Sequence, residues 1–227
     1  MPKREEGTRI MIVDARTYTI AAGKMADFLE TYSNNGLPLQ RKHGFDLAGY
    51  FTVETGLLNQ AVHYWKWDSA AHRQECRRSL YNDPEWGEYR KTNSSAIVEQ
   101  FNRLLAGTDV VEPFAFTGNG SELAFVDERT YTITYPQVSA FIELTKKLGY
   151  PITDGAGWQL IGYFTSITGT VNQVVHLWYW DSQTQREKLQ AAVVGNPNWP
   201  AYQAANGMRM EKQESRYLVP TSFSPLK

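Results

Sequence analysis

The stretch Arg16-Thr17-Tyr18-Thr19-Ile20 decides the fold, because it returns unchanged as Arg129-Thr130-Tyr131-Thr132-Ile133, 113 positions later. Further motifs recur at the same spacing without a gap: Gly49-Tyr50-Phe51-Thr52 as Gly162-Tyr163-Phe164-Thr165, His63 as His176, Trp65 as Trp178, Trp67-Asp68 as Trp180-Asp181, and Trp86 as Trp199. Solenoid repeats are much shorter, at roughly 20–50 residues. A period of this length therefore predicts the duplication of a complete domain.

Two domains of ordinary size follow from this duplication in a chain of 227 residues. We expect the first repeat at residues 8–106 and the second at residues 125–227. The segment between them, residues 107–124, is predicted to be a linker because it is rich in glycine and contains Pro113. A single small unit has a modest core, so packing one repeat against the other is expected to stabilise both.

The pattern of apolar residues within each repeat predicts the order β-α-β-β-α-β. In repeat 1, strands are expected at residues 10–20, 47–53, 60–67 and 97–105. A helix is expected over residues 24–35, and Gly36 and Gly149 are placed as helix C-caps. Asp83-Pro84 and Asn196-Pro197 are each expected to begin a further helix. This order is the ferredoxin-like arrangement of an α+β protein.

A ferredoxin-like unit covers one face of its sheet with helices and leaves the other face bare. We assign Val13 and Ala15 of the first strand to the helix-covered face, together with Val62 and Tyr64 of the third strand. The bare face then carries a polar and aromatic set: Asp14, Arg16, Tyr18, His63, Trp65 and Trp67. Because so much apolar surface is rarely left in water, the two bare faces are predicted to pack together as one intramolecular α/β-barrel.

The composition of the chain argues against several classes of function. The net charge of −1 provides no basic field for nucleic acid, and Arg73, Arg77 and Arg78 are interpreted as a solvated helix face. No run of about 18 apolar residues is present to span a membrane. Residues 1–6 lack the apolar core of a secretory signal, and the single Cys76 suits a reducing compartment. A cytoplasmic protein is therefore expected.

The motifs taken together resemble the NIPSNAP family. The resemblance rests on residues 16–19, 37–44, 49–52 and 83–86, with Asn59, Gln60, His63 and Trp65, and it covers nearly all of repeat 1 and most of repeat 2. It implies a dimeric α/β-barrel of ferredoxin-like units, in a superfamily with the antibiotic-biosynthesis-type monooxygenases, the EthD-like proteins and the chlorite-dismutase-like haem proteins. No enzymatic activity is firmly established for the NIPSNAP family itself, so the resemblance implies a fold and not a reaction.

One segment of the family pattern is missing from the second repeat. Repeat 1 has the basic sequence Gln40-Arg41-Lys42-His43-Gly44, whereas repeat 2 has Thr153-Asp154-Gly155-Ala156-Gly157. Arg41 and His43 are therefore candidates for an anion-binding loop at the mouth of a cavity, in one half of the barrel only. A solvated basic turn is the alternative interpretation of the same residues.

The main candidate site is a pocket inside the barrel. Its expected lining is Arg16, Tyr18, His63 and Trp65, with or without the equivalents Arg129, Tyr131, His176 and Trp178. Arginine can hold a carboxylate or enolate oxygen, and tyrosine can donate a hydrogen bond to developing charge. Histidine can transfer a proton near neutral pH, and tryptophan offers a flat apolar wall. The structural alternative pairs Arg16 with Asp14 and satisfies the histidine with a backbone carbonyl.

Sequence motifs for metals and cofactors are absent. The four histidines, His43, His63, His72 and His176, form no His-x-x-x-His pair, and no Cys-x-x-Cys pair occurs. No phosphate-binding glycine loop, dinucleotide fingerprint or Gly-x-Ser-x-Gly elbow is present. We therefore expect no metal and no cofactor. A haem-ligand role for a histidine rests on superfamily analogy alone.

Three functions are compatible with these observations. The first is a NIPSNAP-like protein that binds a small anionic or aromatic molecule inside the barrel. The second is a cofactor-independent monooxygenase or isomerase of the antibiotic-biosynthesis type, with His63 or His176 as base and Arg16 or Arg129 holding the anion. The third is a structural or interaction module with a filled barrel. Self-association through sheet edges or helices is expected in each case.

Overall fold

Repeat 1 contains four strands and four helices in the described part of the chain. The structure is a computed structural model that describes residues 11–227, so the expected start of repeat 1 at residue 8 and the segment 1–6 lie outside the described residues. The elements are β1 (Ile12–Ile20), α1 (Met25–Thr31), a π-helical turn (Tyr32–Gly36), α2 (Leu37–Lys42), β2 (Asp46–Val53), β3 (Gln60–Trp67), α3 (Ala70–Tyr81), α4 (Pro84–Asn93), a 3-10 turn (Ser94–Ala96) and β4 (Ile97–Gly107).

Repeat 2 has the same strands, α-helices and π-helical turn in the same order, but its last helix is followed directly by a strand without a 3-10 turn. Its elements are β5 (Phe125–Ile133), α5 (Val138–Leu144), a π-helical turn (Thr145–Gly149), α6 (Tyr150–Gly155), β6 (Gln159–Ser166), β7 (Gln173–Trp180), α7 (Gln183–Val194), α8 (Trp199–Gly207) and β8 (Met210–Pro220). The duplication seen in the sequence is therefore a duplication of the fold.

The eight strands close into one antiparallel barrel. Within each repeat the strands lie in the order β4-β1-β3-β2 or β8-β5-β7-β6, which is the ferredoxin-like topology and confirms the predicted fold class. The two sheets join where β2 pairs with β8 and where β4 pairs with β6. Each junction is short, from Val53↔Leu218 to Phe51↔Pro220 in the first case. The helices of both repeats lie outside the barrel wall.

Apolar side chains from both repeats fill the centre of the barrel. They include Val13, Phe51, Tyr64, Leu105, Val126, Phe164, Leu177 and Leu218. The segment between the repeats contributes to the same cluster, since Phe114 and Ala124 pack there. One end of the barrel is an open polar recess of about 760 Å³, and Arg103, Glu128 and Arg216 are among the residues that line it. None of the predicted site residues lines this recess.

The predicted assignment of the two sheet faces is wrong. Val13 and Val62 point into the barrel, whereas Arg16, His63 and Trp65 lie on the face that the helices cover. Both faces of the strands are buried, so the alternation of residues separates two faces but does not tell which one the helices cover. The interior of an eight-stranded barrel is just wide enough for side chains. Valine side chains therefore fit inside the barrel better than a row of tryptophan side chains would.

The first helical segment of each repeat is longer than predicted and contains a π-helical turn. Gly36 and Gly149 end that turn within a continuous helical segment, with φ values of −70° and −67°, so they are not C-caps. A Cβ atom at these positions would lie 2.6 Å from the ring of Tyr89 or 2.4 Å from the ring of Tyr202. Glycine is therefore required by the close approach of a tyrosine ring.

The predicted start of α4 is confirmed, but its counterpart in repeat 2 is wrong. The Asp83 side chain accepts a hydrogen bond from the Glu85 backbone N–H over 2.9 Å and caps α4. In repeat 2, the helix begins at Trp199 with Asn198 in the N-cap position. The two residues Asn196 and Pro197 instead form part of the preceding turn.

Candidate functional site

Each repeat has a cavity between its sheet and its helices. Cavity 1, in repeat 1, has a volume of about 310 Å³, and cavity 2, in repeat 2, has a volume of about 400 Å³. Equivalent residues line both, in the pairs Arg16 and Arg129, Tyr18 and Tyr131, His63 and His176, Trp86 and Trp199, Tyr89 and Tyr202, and Asn93 and Asn206. The duplicated fold therefore carries a duplicated cavity.

The histidine that lines each cavity accepts a hydrogen bond from a tryptophan two residues later. The indole Nε1–H of Trp65 donates to Nδ1 of His63 over 2.7 Å, and Trp178 donates in the same way to His176 over 2.6 Å. An indole N–H is only a donor, so the histidine Nδ1 must act as the acceptor. The proton of each neutral imidazole is therefore on Nε2, where the ring offers an N–H donor.

Burial keeps both imidazole rings neutral. Burial, together with the Arg16 cation, lowers the pKa of His63 to about 3. Burial and the Arg129 cation lower the pKa of His176 well below its usual value. A neutral ring whose Nδ1 lone pair is already engaged has no free site for a proton. This geometry suits hydrogen-bond donation, and it argues against the predicted role of His63 or His176 as a base.

Aromatic rings fix the orientation of each histidine. Tyr50 stacks on His63 and Tyr18 meets its edge, both with ring centroids 4.8 Å apart. In repeat 2, Tyr163 stacks on His176 with centroids 5.4 Å apart. The exposed fractions of His63 and His176 are only 1% and 4%. Nevertheless, Nε2 of each ring has no hydrogen-bond partner among the described residues.

An ion-pair network anchors Arg16 in the wall of cavity 1. Fully buried Asp14 accepts hydrogen bonds from Arg16 over 2.9 Å and from Arg73 over 2.8 Å. Although burial opposes the charge, Arg16 and Arg73 hold the pKa of Asp14 below its usual value. In repeat 2, Asp127 accepts from Arg129 over 2.8 Å. The pairing of Arg16 with Asp14 is therefore present, while Nε of Arg16 stays unpartnered in the described structure.

Several predicted site residues do not reach a cavity. Trp65 is fully buried and touches the site only through its histidine, whereas Trp178 does line cavity 2. Arg41 and His43 lie at the end of α2 and line neither cavity. Nε2 of His43 contacts the Asp83 carboxylate over 2.8 Å. The basic loop is therefore bonded to the N-terminal end of α4.

The predicted pocket inside the barrel is corrected by this geometry. Arg16, Tyr18 and His63 come together as expected, but they do so on the outer face of the barrel wall, beneath the helices. The centre of the barrel that was expected to hold the pocket is packed with apolar side chains instead. The correction follows directly from the inverted assignment of the sheet faces.

Sequence reasoning missed the helical side of both cavities. Arg77 of α3 and Arg90 of α4 line cavity 1, although Arg77 was predicted to belong to a solvated helix face. Of the predicted set Arg73, Arg77 and Arg78, only Arg78 is exposed. The spacing of Arg73 and Arg77 could have indicated that both line the same cavity, because residues four apart share one face of a helix.

Two further properties of the described residues bear on ligands and location. Among residues 11–227, no group of three or more His, Cys, Asp or Glu side chains is placed to hold a metal ion. Within the same range, every helix is too short or too polar to cross a membrane.

Comparison with known proteins matches the duplicated architecture. The NIPSNAP family model matches residues 13–111 and again residues 126–225. NipSnap homolog 3B from Mus musculus is 29% identical over an alignment that covers 100% of this chain and 89% of that protein. Both repeats therefore have counterparts in a full-length relative.

Solved structures of low sequence identity share the barrel. A Fusobacterium nucleatum protein described as a "putative monooxygenase" is 7% identical, with a TM-score of 0.66 and coverage of 97% of this chain and 94% of that chain. A Lactobacillus acidophilus protein with the same description is 11% identical, with a TM-score of 0.63 and coverage of 93% and 94%. At such identity the likeness concerns the fold alone. Because the family model matches almost the whole of both repeats, this chain belongs to the NIPSNAP family.

Proposed function

We propose that this NIPSNAP protein binds small molecules at two sites, one in each cavity between sheet and helices. The proposal moves the expected ligand from the centre of the barrel to the outer face of its wall. Cavities of about 310 Å³ and 400 Å³ would each hold on the order of ten waters, or a small aromatic molecule in their place. Their walls combine flat rings with a few polar groups, as small-molecule sites do.

The observation that carries the proposal is the unpartnered Nε2–H of His63 and of His176. A buried donor without an acceptor costs about 1–3 kcal/mol. Both repeats nevertheless keep this donor, and both fix its direction with the same tryptophan hydrogen bond. A ligand with a carbonyl, phenolate or carboxylate oxygen would supply the missing acceptor. The ligand ring would then pack against the aromatic walls.

Crystals soaked with 2-naphthamide test this proposal. The probe is neutral and flat, and its carbonyl oxygen is a good acceptor. We expect electron density for it in both cavities, with the carbonyl oxygen within hydrogen-bond distance of Nε2 of His63 and of His176. Isothermal titration should report two sites per chain. Empty cavities at saturating probe concentrations would contradict the proposal.

Two matched double variants separate the hydrogen bond from the available space. In H63Q/H176Q, the glutamine amide can place an N–H near the position of Nε2. In H63N/H176N, the shorter side chain places its amide near Nδ1 and leaves no donor at Nε2. We expect the asparagine variant to bind 2-naphthamide on the order of tenfold more weakly than the glutamine variant. Equal affinities would remove the histidine donors from the binding site.

The second candidate function is a cofactor-independent oxygenase acting on a quinol or a dicarbonyl. The observation that favours it is the set of donors along one wall of cavity 1, where Arg16, Tyr18 and His63 are adjacent. Such a set suits an enolate oxygen, which needs stabilisation of developing negative charge. The barrel shared with proteins described as monooxygenases supports the idea by analogy. In this version His63 holds a substrate oxygen and does not remove a proton.

Oxygen uptake in the presence of quinols and 1,3-dicarbonyls tests the second candidate. We expect any turnover to be lost in H63N and retained in H63Q, because only the latter can keep a donor near Nε2. The pH–rate profile should lack an inflection near the ordinary histidine pKa of about 6.5, since His63 is neutral far below that pH. An inflection there that disappears in H63Q would restore His63 as the base.

A further inference from the structure

The two cavities differ in charge although most of their lining residues are equivalent. Among residues 11–227, four arginines line cavity 1, namely Arg16, Arg73, Arg77 and Arg90, and no acidic residue does. Of the described residues that line cavity 2, Arg129 is the one with a charged side chain. Gln190 and Gln203 lie in cavity 2 at the positions equivalent to Arg77 and Arg90. The two repeats have therefore diverged in the charge of the helix residues that line their cavities.

Arg77 and Arg90 are uncompensated cations at the mouth of cavity 1. Each guanidinium group lies over the ring of Tyr81, with the Cζ atom 5.3 Å from the ring centroid. Within residues 11–227, neither of them forms a hydrogen bond or an ion pair with another side chain. Burial and the like charge of Arg16 lower the pKa of Arg77. These cations repel one another, and a bound anion would relieve that repulsion.

The deeper arginines of cavity 1 already share one carboxylate. Asp14 pairs with both Arg16 and Arg73, so in the described part of the chain the four arginines of the wall exceed this one carboxylate by three charges. In cavity 2, Asp127 pairs with Arg129 and, over 3.5 Å, with Arg186, so the same count leaves an excess of only one positive charge. The valine at position 194 replaces Tyr81 as well, so the platform for the two cations is also missing there.

We propose that cavity 1 is specialised for an organic anion, a carboxylate or phosphate joined to a flat apolar body, whereas cavity 2 has no preference for an anion. This inference rests on the proposed function, because it assigns a ligand class to one of the same two sites. The anionic group would lie between Arg77 and Arg90, since guanidinium groups bind carboxylates and phosphates through paired hydrogen bonds. The ring body would lie deeper, against Trp86 and Tyr89, where an acceptor oxygen on the ring could receive the hydrogen bond from Nε2 of His63.

The probes 2-naphthoate and 2-naphthamide form a matched pair with the same ring and a different charge. In wild-type crystals, we expect 2-naphthoate in cavity 1, with its carboxylate at Arg77 and Arg90. In titrations, it should bind cavity 1 on the order of tenfold more tightly than 2-naphthamide does. A third probe, 2-naphthyl phosphate, distinguishes a phosphate headgroup from a carboxylate. Tighter binding of either anion than of 2-naphthamide supports the inference.

Exchanging the helical walls tests whether these two arginines cause the preference. The variant R77Q/R90Q copies the glutamines of cavity 2, and we expect it to bind 2-naphthoate on the order of tenfold more weakly, with a much smaller change in its affinity for 2-naphthamide. The control R78Q/K91Q removes the same charge from α3 and α4 at residues that line neither cavity. The reverse variant Q190R/Q203R should create a preference for 2-naphthoate in cavity 2.

The outcomes separate this inference from the proposed function. If R77Q/R90Q and R78Q/K91Q weaken 2-naphthoate equally, the effect is one of overall charge and the inference is overturned. If 2-naphthamide enters the cavities but 2-naphthoate shows no preference for cavity 1, the inference fails while the proposed function stands. If neither probe enters either cavity, the proposed function itself fails.

Discussion

The hydrogen bond from Trp65 to His63 limits what this histidine can do chemically. A solvated imidazole can exchange its proton between two nitrogens, but the Trp65 indole N–H occupies the Nδ1 lone pair. Protonating the ring would place an N–H against another N–H in a buried site. The same reasoning applies to Trp178 and His176. The pair therefore converts a residue known for proton transfer into a fixed hydrogen-bond donor.

This arrangement makes the stability of the fold depend on pH. The pKa of His63 is about 3 in the folded protein and about 6.5 in an unfolded chain. The unfolded state therefore binds more protons between these values, so the stabilising contribution is complete above pH 6.5 and is lost as the pH falls toward 3. The free energy of unfolding should fall by up to about 1.4 kcal/mol per pH unit for each buried histidine in that window.

Urea unfolding at pH 7.0, 6.0, 5.0 and 4.5 measures this slope. The variant H63Q/H176Q is the control, because glutamine does not titrate, and its free energy of unfolding should change much less over the same range. The window lies above the pKa values of buried Asp14 and Glu128, which are held below their usual range by neighbouring arginines. Parallel slopes for the wild type and the variant would contradict the assignment of buried, neutral histidines.

The residues of the site differ in how far the sequence could predict them. Arg16 and His63 are register partners on β1 and β3. The period-two alternation of each strand and the recurrence of both residues in repeat 2 were sufficient to predict that they lie close together. Arg77 and Arg90 lie on two different helices. Their meeting over Tyr81 depends on how those helices cross the sheet, which short-range sequence patterns do not encode. Because of its charge, Arg77 was interpreted as part of a solvated helix face, and Arg90 was not predicted to have any role.

At the scale of elements, the π-helical turn is the feature that shapes each cavity. Its last residue, Gly36 in repeat 1, allows the ring of Tyr89 to approach the helix backbone, and Tyr89 lines cavity 1. The turn in repeat 2 does the same with Gly149 and Tyr202. π-Helical turns are rare and often lie at functional sites. In this protein the π-helical turn allows a tyrosine ring to form part of the cavity wall.

Adding one methyl group at Gly36 should therefore destabilise the fold. The Cβ atom of G36A would lie 2.6 Å from the Tyr89 ring, and relieving that overlap costs about 1–3 kcal/mol. Thermal unfolding should show a clear decrease in melting temperature. The control is G87A in α4, where a Cβ atom meets nothing within 4 Å. That variant should be more stable by about 0.5–1 kcal/mol because alanine favours a helix. Equal melting temperatures for both variants would refute the packing argument.

Asp83 links two helices of repeat 1. Its carboxylate caps α4 through the Glu85 backbone N–H and also binds Lys42 and His43 at the end of α2. D83A should lower the free energy of unfolding by about 1 kcal/mol through loss of the cap. D83N should restore most of this stability, since asparagine caps equally well and an ion pair with exposed Lys42 contributes little. Equal losses for both variants in urea unfolding would assign the effect to the ion pair.

The elements themselves were predictable to different degrees. Strands β2 and β3 fall within one residue of their expected bounds, because a glycine-containing turn separates two alternating runs. The helices were less predictable. Gly36 was interpreted as a terminator because glycine is common at helix ends, whereas its actual role depends on a tyrosine 53 positions away. Contacts between distant segments override a local propensity in this case.

For the whole molecule, the duplication was sufficient to predict a closed barrel but not its contents. Two copies of a sheet with two apolar faces have to bury both faces, and an intramolecular barrel achieves this. Side-chain volume decides which face of each sheet points into the closed barrel. A few polar residues on that inward face are exceptions to its apolar character. Glu128 is one of these exceptions. It points into the barrel at the position that Ala15 occupies in repeat 1.

Glu128 joins the two halves of the barrel. It is 4% exposed, and it accepts hydrogen bonds from Tyr64 and from Arg103 of repeat 1, the latter over 2.9 Å. It also binds Arg216 of repeat 2 over 2.9 Å. Although burial opposes ionisation, the cations of Arg216 and Arg103 hold the pKa of Glu128 below its usual value. The carboxylate therefore remains charged and balances arginines from both repeats.

Replacing Glu128 by alanine should weaken the barrel, even though alanine is the residue that repeat 1 has at the equivalent position. E128A leaves the Tyr64 hydroxyl without its acceptor and two arginines without their carboxylate, and removing one member of a buried ion pair costs about 3 kcal/mol or more. The control is E214A, since Glu214 is exposed on β8 and pairs with exposed Lys212, and its loss should stay within about 0.5 kcal/mol. Chemical denaturation of both variants measures the difference. Equal stability of E128A and E214A would mean that water at the open end of the barrel stabilises the cations of Arg103 and Arg216 to the same extent as the Glu128 carboxylate. The ion pairs of Glu128 would then not hold the two repeats together.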